Sequence, residues 1–196
     1  IPGTTGPLSI VKAATMNFGS QVISNQNQTY NMVAEMQQLR GTEGDENKVP
    51  YVSFAQVQDL RGTNIGWDLQ VSLSDFTSET QNNVLTGAEI EFVGSRIQYE
   101  GSNAENAPTA HEDGLTLLPN GAARSVMTAA QGQGAGASSV VWGDQQDLTA
   151  QFEAEDFDPE TDVVENGAIQ LSIPGSTAKD ATTYTSTLTW ELTTTD

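Results

Sequence analysis

Few side chains in this sequence have the type and spacing that nucleophilic or acid–base chemistry requires. Histidine occurs once, as His111, and the sequence contains no cysteine and no G-x-S-x-G motif. A catalytic triad needs a histidine held by a carboxylate beside a nucleophile, so we interpret His111 as a surface-loop residue. Paired carboxylates hydrolyse glycosides, but no pair among the 26 acidic residues is singled out at the end of an apolar strand. We therefore predict that the protein is not an enzyme.

Two further segments could hold a ligand, and each departs from the motif it suggests. The run Gly132–Gly136 lacks the glycine spacing, lysine and following helix of a phosphate-binding loop, so Gln131–Ser139 is predicted to be a flexible tip. The acidic segment Glu153–Glu165 carries seven carboxylates, yet Thr161 and Gly167 stand where a calcium-binding EF-hand needs glycine and glutamate. We predict no cofactor and no defined metal site. A looser Ca²⁺ site in this segment stays open, beside the simpler reading of a solvated acidic loop.

Length and charge narrow the class of protein. The chain has 196 residues and a net charge of −19, which suits a single domain over residues 1–196 and repels nucleic acid and anionic lipid. No apolar run is long enough for a membrane-spanning helix. The absence of cysteine excludes disulfides and thiol chemistry. The sequence thus predicts one domain with no nucleic-acid partner and no direct membrane insertion.

Strict alternation of apolar and polar residues is the strongest structural pattern. In Trp67–Ser74, Trp67, Leu69 and two further apolar residues occupy one face and polar residues the other. The C-terminal segment Tyr184–Thr193 repeats this pattern with threonine on the polar face, and threonine favours strands over helices. These features predict an all-β fold: a single antiparallel β-sandwich or barrel-like domain with long loops. Trp67 and Trp190 are predicted to be buried on strands that lie near each other.

Further segments complete the predicted architecture. Strands are expected at Leu8–Lys12, Tyr51–Asp59, Ala88–Val93, Arg96–Tyr99, Val140–Trp142, Leu148–Phe152 and Ala168–Ile173. The glycines of Arg61–Gly66 predict a hairpin between Tyr51–Asp59 and Trp67–Ser74, and Pro174-Gly175 predicts a turn. The segment Tyr30–Arg40 has residues that favour a helix and an alternation that favours a strand, and we interpret it as a strand. Gly101–Gly114 is expected to be irregular.

The order of several motifs resembles a known family. The sequence contains Gly6-Pro7-Leu8-Ser9-Ile10, then Asn17-Phe18-Gly19, Val57-Gln58-Asp59-Leu60-Arg61-Gly62-Thr63, Trp67-Asp68-Leu69, Leu85-Thr86-Gly87-Ala88, and finally Tyr184 to Leu192 with Trp190-Glu191-Leu192. Nearly the whole chain thereby resembles the WxL domain of cell-surface proteins from low-GC Gram-positive bacteria, in its small form without other domains. The motif residues become the candidate binding residues: Trp67, Asp68, Leu69, Trp190, Glu191, Leu192, Asp59, Arg61 and Gly62.

The resemblance implies secretion, non-covalent retention on the cell wall and a membrane-anchored partner, the WxL-interacting protein. Peptidoglycan and other wall glycans are then the expected ligands. Because Gram-positive walls are polyanionic, a chain of net charge −19 is repelled by them. Direct glycan binding, attachment only through the partner, and adhesion to a host matrix protein therefore remain alternatives. Residues 1–98 hold 10 acids and 5 bases and residues 99–196 hold 16 acids and 2 bases, so a wall-facing surface is expected on the first half.

Overall fold

The computed structural model describes residues 3–194, and within them β-strands dominate. The strands are β1 (Leu8–Lys12), β2 (Gln28–Val33), β3 (Glu35–Gln38), β4 (Lys48–Tyr51), β5 (Ser53–Asp59), β6 (Trp67–Leu73), β7 (Glu89–Phe92), β8 (Arg96–Tyr99), β9 (Thr109–Ala110), β10 (Leu115–Leu117), β11 (Arg124–Ala129), β12 (Gly136–Trp142), β13 (Glu165–Ile173) and β14 (Leu188–Thr193). One α-helix, α1 (Gln145–Phe152), and two single-turn 3-10 helices, Asp45–Asn47 and Ala104–Asn106, complete the elements of this part of the chain. The predicted all-β, antiparallel, sandwich-like fold is confirmed.

The strands form three four-stranded antiparallel sheets and one two-stranded ribbon. Their orders are β1-β5-β12-β8, β10-β7-β13-β2 and β14-β6-β11-β9, and β3 pairs with β4. One apolar core joins the three larger sheets, with buried residues such as Val57, Phe92 and Leu69 contributed by different sheets. A smaller cluster lies under α1 and contains Leu148 and Val164. The alternating burial of β5 and β6 explains why period-2 patterns were the clearest signal in the sequence.

Two predicted strands are divided in the structure. Tyr51–Asp59 breaks at Val52, so that Tyr51 ends β4 and the rest forms β5. Tyr30–Arg40 is extended, as interpreted, but it contributes to β2 in one sheet and β3 in the ribbon. At Ala34 the backbone N–H instead donates to the carbonyl of Val164, 2.8 Å away. Each break transfers the chain between sheets, which an alternation pattern alone does not reveal.

The hairpin predicted at Arg61–Gly66 is wrong. Strand β5 lies between β1 and β12, whereas β6 lies between β14 and β11, so the segment connects two sheets. Positive φ angles at Gly62 (72°), Asn64 (53°) and Gly66 (87°) turn the backbone three times. A two-residue hairpin turn would keep both strands in one ladder; this longer path lets the chain cross to the other sheet.

The strand predicted at Leu148–Phe152 is wrong, because these residues form the end of α1. Asp144 precedes the helix, and its carboxylate Oδ1 accepts hydrogen bonds from the backbone N–H groups of Gln146 (2.8 Å) and Asp147 (3.2 Å). This is N-capping, with an acid in the first turn, where the helix dipole favours negative charge. Only Leu148 of the helix is fully buried, so its apolar periodicity was too weak to predict it.

The flexible tip predicted at Gln131–Ser139 is also wrong over its second part, which is a strand. Strand β12 begins at Gly136 and pairs with both β5 and β8. Gly134, with φ of 74°, lies against the core, where an added Cβ would approach Trp67 Nε1 to 2.7 Å. The glycines therefore allow close packing of the backbone rather than flexibility.

Candidate functional site

The two W-x-L tripeptides lie on neighbouring strands. Trp67 opens β6, Trp190 lies within β14, and the two strands pair antiparallel with Leu192 opposite Leu69 and Thr193 opposite Asp68. The sequence prediction that the two motifs come from strands close together is confirmed. Both motifs place tryptophan and leucine on the inner face and the middle residue, Asp68 or Glu191, on the outer face.

Trp67 is completely buried, as predicted. Its indole Nε1–H donates a hydrogen bond to the carbonyl of Gly134, 3.1 Å away. Since Gly134 has no side chain, its backbone can reach the indole, and the polar edge of the ring is satisfied inside the core. The first tryptophan therefore anchors the core and fastens the loop that leads into β12.

Trp190 also buries most of its surface, as predicted, although less completely than Trp67. Its ring contacts Trp142 with centroids 6.3 Å apart, and Trp142 in turn contacts Phe92 at 5.1 Å. The indole Nε1 of Trp190 is buried without a hydrogen-bond partner in the described part of the chain. The second tryptophan thus covers the rim of an aromatic cluster rather than filling the centre of the core.

His111 belongs to the same aromatic cluster; it lies in a loop, as predicted, and is partly buried there. Its Nε2 accepts a hydrogen bond from the indole N–H of Trp142 at 2.9 Å, and the centroids of the two rings lie 6.1 Å apart. Its Nδ1 lies 2.7 Å from the carbonyl of Glu112, which fits donation from Nδ1–H. These contacts give His111 a packing role. Trp142 was not singled out from the sequence because its short apolar run resembles any buried strand.

Two of the other candidate residues, Asp59 and Arg61, form a structural clamp at the start of the crossover, and the third, Gly62, follows it with a φ of 72°. Both oxygens of Asp59 accept hydrogen bonds from the Arg61 guanidinium at 2.9 Å, and Oδ1 also accepts the Arg61 backbone N–H. The guanidinium reaches the carbonyl of Gly66, next to Trp67. Hydrogen bonds from Arg61 lower the pKa of Asp59 below its usual range, and the carboxylate raises the pKa of Arg61. The clamp fixes where β6 begins.

The outer side of the β14-β6-β11 sheet carries polar side chains from both W-x-L motifs. We call this surface the polar face; its members are Asp68, Gln70, Ser72, Ser125, Thr128, Thr189, Glu191 and Thr193. The register places Thr193, Asp68 and Thr128 in one row and Glu191, Gln70 and Ser125 in the next, because directly opposed residues share a face. The polar face displays hydroxyls, an amide and two carboxylates.

Asp68 organises the polar face. Its carboxylate accepts hydrogen bonds from Ser125 Oγ (2.8 Å), Thr128 Oγ1 (2.9 Å) and Gln70 Nε2 (2.8 Å). The two hydroxyl protons are thereby directed at Asp68, so the hydroxyl oxygens are free to accept hydrogen bonds from outside. The face can bind a polyhydroxylated or amide-bearing ligand by hydrogen bonds.

Four members of the polar face have unused hydrogen-bonding capacity. Within residues 3–194 the side chains of Ser72, Thr189, Glu191 and Thr193 make no hydrogen bond. Over the same residues, no three acidic or histidine side chains come together as a metal site. No helix of the described chain has the length and apolar character needed to cross a membrane.

The fold and the site define an antiparallel β domain in which two W-x-L motifs pair on adjacent strands and build one polar surface. The chain belongs to the WxL domain family, described as surface cell wall-binding, whose profile matches residues 1–195. It is therefore a surface protein that binds the cell wall. No curated protein and no solved structure gave a significant match.

Proposed function

We propose that this protein is a secreted, non-enzymatic surface protein of Gram-positive bacteria that binds peptidoglycan directly and non-covalently through the polar face. The observation that carries the proposal is the set of unpaired side chains, three hydroxyls and the carboxylate of Glu191, displayed on both W-x-L strands. Sugar hydroxyls and peptide amides are matched ligands for such groups. In this proposal the wall-bound protein also forms a complex with a membrane-anchored WxL-interacting protein.

Removing hydrogen-bonding groups from the polar face is expected to weaken binding to purified cell walls. In the double variant Gln70→Ala/Thr189→Ala, two groups that face solvent are lost while the core is unchanged. Each lost hydrogen bond is worth roughly 0.5–1.5 kcal/mol, so the wall affinity should fall by about tenfold. Binding isotherms with protein-free sacculi measure the effect.

The matched control removes the same residue types from the outer side of another sheet. Thr29 on β2 and Gln170 on β13 each make one side-chain hydrogen bond, to Ser172 and Asn31 respectively. The variant Thr29→Ala/Gln170→Ala should retain wild-type wall affinity. Equal binding by both double variants would reject the polar face as the wall-contacting surface.

Attachment only through the partner is the second candidate, and the charge distribution favours it. Residues 99–196 carry 16 acids and 2 bases, a net charge of −14, which is complementary to a basic surface rather than to an anionic wall. In a pull-down with purified walls, direct binding predicts retention of the protein alone. Retention only when the WxL-interacting protein is added would support the second candidate.

Direct wall binding is expected to strengthen on acidification and in the presence of Mg²⁺ or Ca²⁺. The sequence pI is about 4.1, so lowering the pH toward that value reduces the negative charge that opposes contact with a polyanionic wall. Divalent cations bridge carboxylates on the two surfaces. Binding to a basic partner should instead weaken with acid and with salt. Flat pH and salt curves in both assays would contradict a controlling role for charge.

A further inference from the structure

A cleft of 870 Å³ lies beside the strand that carries the second W-x-L motif. Two irregular segments, 16–23 and 179–186, form its walls. Its floor consists of core side chains: Leu73, Phe76, Leu85, Ile90, Leu171 and Ile173. The lining includes none of the eight members of the polar face. The cleft is therefore a separate, apolar surface.

The two charged residues in the cleft lining already have partners. The ammonium of Lys179 donates to the carbonyls of Ser24 (3.0 Å), Pro174 (3.3 Å) and Thr177 (2.8 Å). The carboxylate of Asp180 accepts from the backbone and side-chain nitrogens of Asn82, each at 2.7 Å. Hydrogen bonding from the Thr80 side chain, and next from Asn82, lowers the pKa of Asp180. An occupant would meet an apolar surface with no unpaired charge in the lining.

One wall of the cleft exposes large apolar side chains on an unpaired backbone. Val22 is 88% exposed and Ile23 is 54% exposed. No hydrogen bond joins the backbone N–H or C=O groups of residues 20–23 to another part of the described chain. Such a segment gains both apolar burial and hydrogen bonds when an extended chain lies against it.

The other wall ends in a free strand edge. Thr185 exchanges both backbone hydrogen bonds with Thr77, at 2.8 and 2.9 Å. In an antiparallel strand the adjacent residues, Tyr184 and Ser186, then direct their N–H and C=O groups to the opposite side. The edge continues into β14, which within residues 3–194 pairs with β6 alone.

This edge lacks the features that normally prevent pairing with another chain. Proteins protect exposed edges with charged residues, proline or bulges. From Tyr184 to Trp190 the sequence has no charged residue and no proline, although the whole chain carries 26 acids and 7 bases. An open, uncharged edge beside an apolar cleft is the geometry of sites that bind a peptide by strand addition.

We propose that the cleft binds an extended polypeptide segment of another protein, which pairs with residues 184–188 and inserts alternate apolar side chains into the cleft. A polypeptide suits both features, because its backbone can hydrogen-bond to the edge while its side chains fill the floor. A sugar would place hydroxyls against the apolar floor, where they have no partners. The net charge of −19 selects neutral or basic segments. The proposal stands independently of wall binding by the polar face.

A synthetic nonapeptide of alternating threonine and valine with a lysine at each end tests this site. The expected result is saturable binding, with amide resonances of residues 184–188 and 20–23 shifting in ¹⁵N NMR spectra. The double variant Val22→Ser/Ile23→Ser, which alters exposed residues only, should bind the peptide about tenfold more weakly because apolar burial is lost. Val163→Ser, at a position that is 56% exposed outside the cleft, is the matched control and should bind normally.

The strand edge is tested separately. Ser186→Pro removes the outward N–H and should abolish peptide binding, whereas Ser186→Ala keeps that N–H and should retain it. The same nonapeptide with alternate N-methylated residues should not bind.

Unchanged binding by the Val22→Ser/Ile23→Ser variant, or displacement of the peptide by N-acetylglucosamine tetrasaccharide, would overturn the proposal. Shifts at 184–188 on concentrating the protein alone would also overturn it, in favour of a second copy. Retention on sacculi by these variants tests the polar face independently.

Discussion

Trp67→Ala is expected to lower the free energy of unfolding by about 3–5 kcal/mol, the range for truncating a buried large aromatic residue. The indole is completely buried, and its removal would also leave the carbonyl of Gly134 without its hydrogen bond. A cavity would open between the β14-β6-β11 sheet and the loop before β12, because Ala129 and Gly134 cannot fill the space. Urea unfolding followed by circular dichroism at neutral pH measures the loss.

Trp190→Ala provides the matched control for this prediction. Its ring is less completely buried than that of Trp67 and its N–H has no partner in the described chain, so the truncation should destabilise the protein less than Trp67→Ala. An unchanged melting temperature for Trp67→Ala, together with loss of wall binding, would mean that this ring contacts the wall rather than the core. Equal losses for both variants would contradict the difference in burial.

Much of the fold was predictable wherever a strand buries one face. Leu8–Lys12 and Arg96–Tyr99 were predicted with the observed bounds, and Trp67–Ser74 ends one residue beyond β6. In β6 the side chains alternate between the core and the outer face, so apolar and polar residues alternate in the sequence with a period of two. Which strands pair was not predictable, because alternation specifies a face and not a neighbour.

The incorrect predictions depend on specific contacts, some distant in sequence and some local, that a pattern of residue types does not show. The glycines of 131–136 were interpreted as flexible, but Gly134 packs against Trp67, which lies 67 positions earlier. The connection at Arg61–Gly66 resembled a hairpin, yet the Asp59–Arg61 clamp redirects the chain into another sheet. The sequence pattern contained these residues without showing what they touch.

The candidate site was predictable in its motifs but not in its surfaces. Pairing of the two W-x-L strands brings Asp68 and Glu191 to one side of the sheet, together with Thr128 from β11. The motif identifies the strands, whereas the polar face depends on their register. The cleft beside Val22 has no motif, because its walls are irregular and its floor is ordinary core. The family resemblance therefore predicted binding to the cell wall, but it did not predict which surface of the domain makes the contact.

Asp59→Asn is expected to lower the free energy of unfolding by about 3–5 kcal/mol at pH 7, because it leaves the Arg61 charge without its counter-ion. The side chains of Asp59 and Arg61 are only 3% and 13% exposed, so water cannot replace the lost ion pair. The fork-shaped guanidinium, which also holds the carbonyl of Gly66, would no longer fix the start of β6. Urea unfolding of both proteins measures the difference.

The contribution of this clamp should depend on pH in a defined direction. Since the Arg61 guanidinium lowers the pKa of Asp59 in the folded protein, the stabilisation is fully present above the ordinary aspartate pKa of about 3.9 and is lost as the pH falls through the lower folded value. The difference in the free energy of unfolding between wild type and Asp59→Asn should therefore be constant from pH 7 to pH 5 and shrink below pH 4. Arg61→Lys separates geometry from charge: it keeps the positive charge but cannot bind both carboxylate oxygens, and it should destabilise the protein less than Asp59→Asn. A gap that widens on acidification would contradict the lowered pKa and the clamp that explains it.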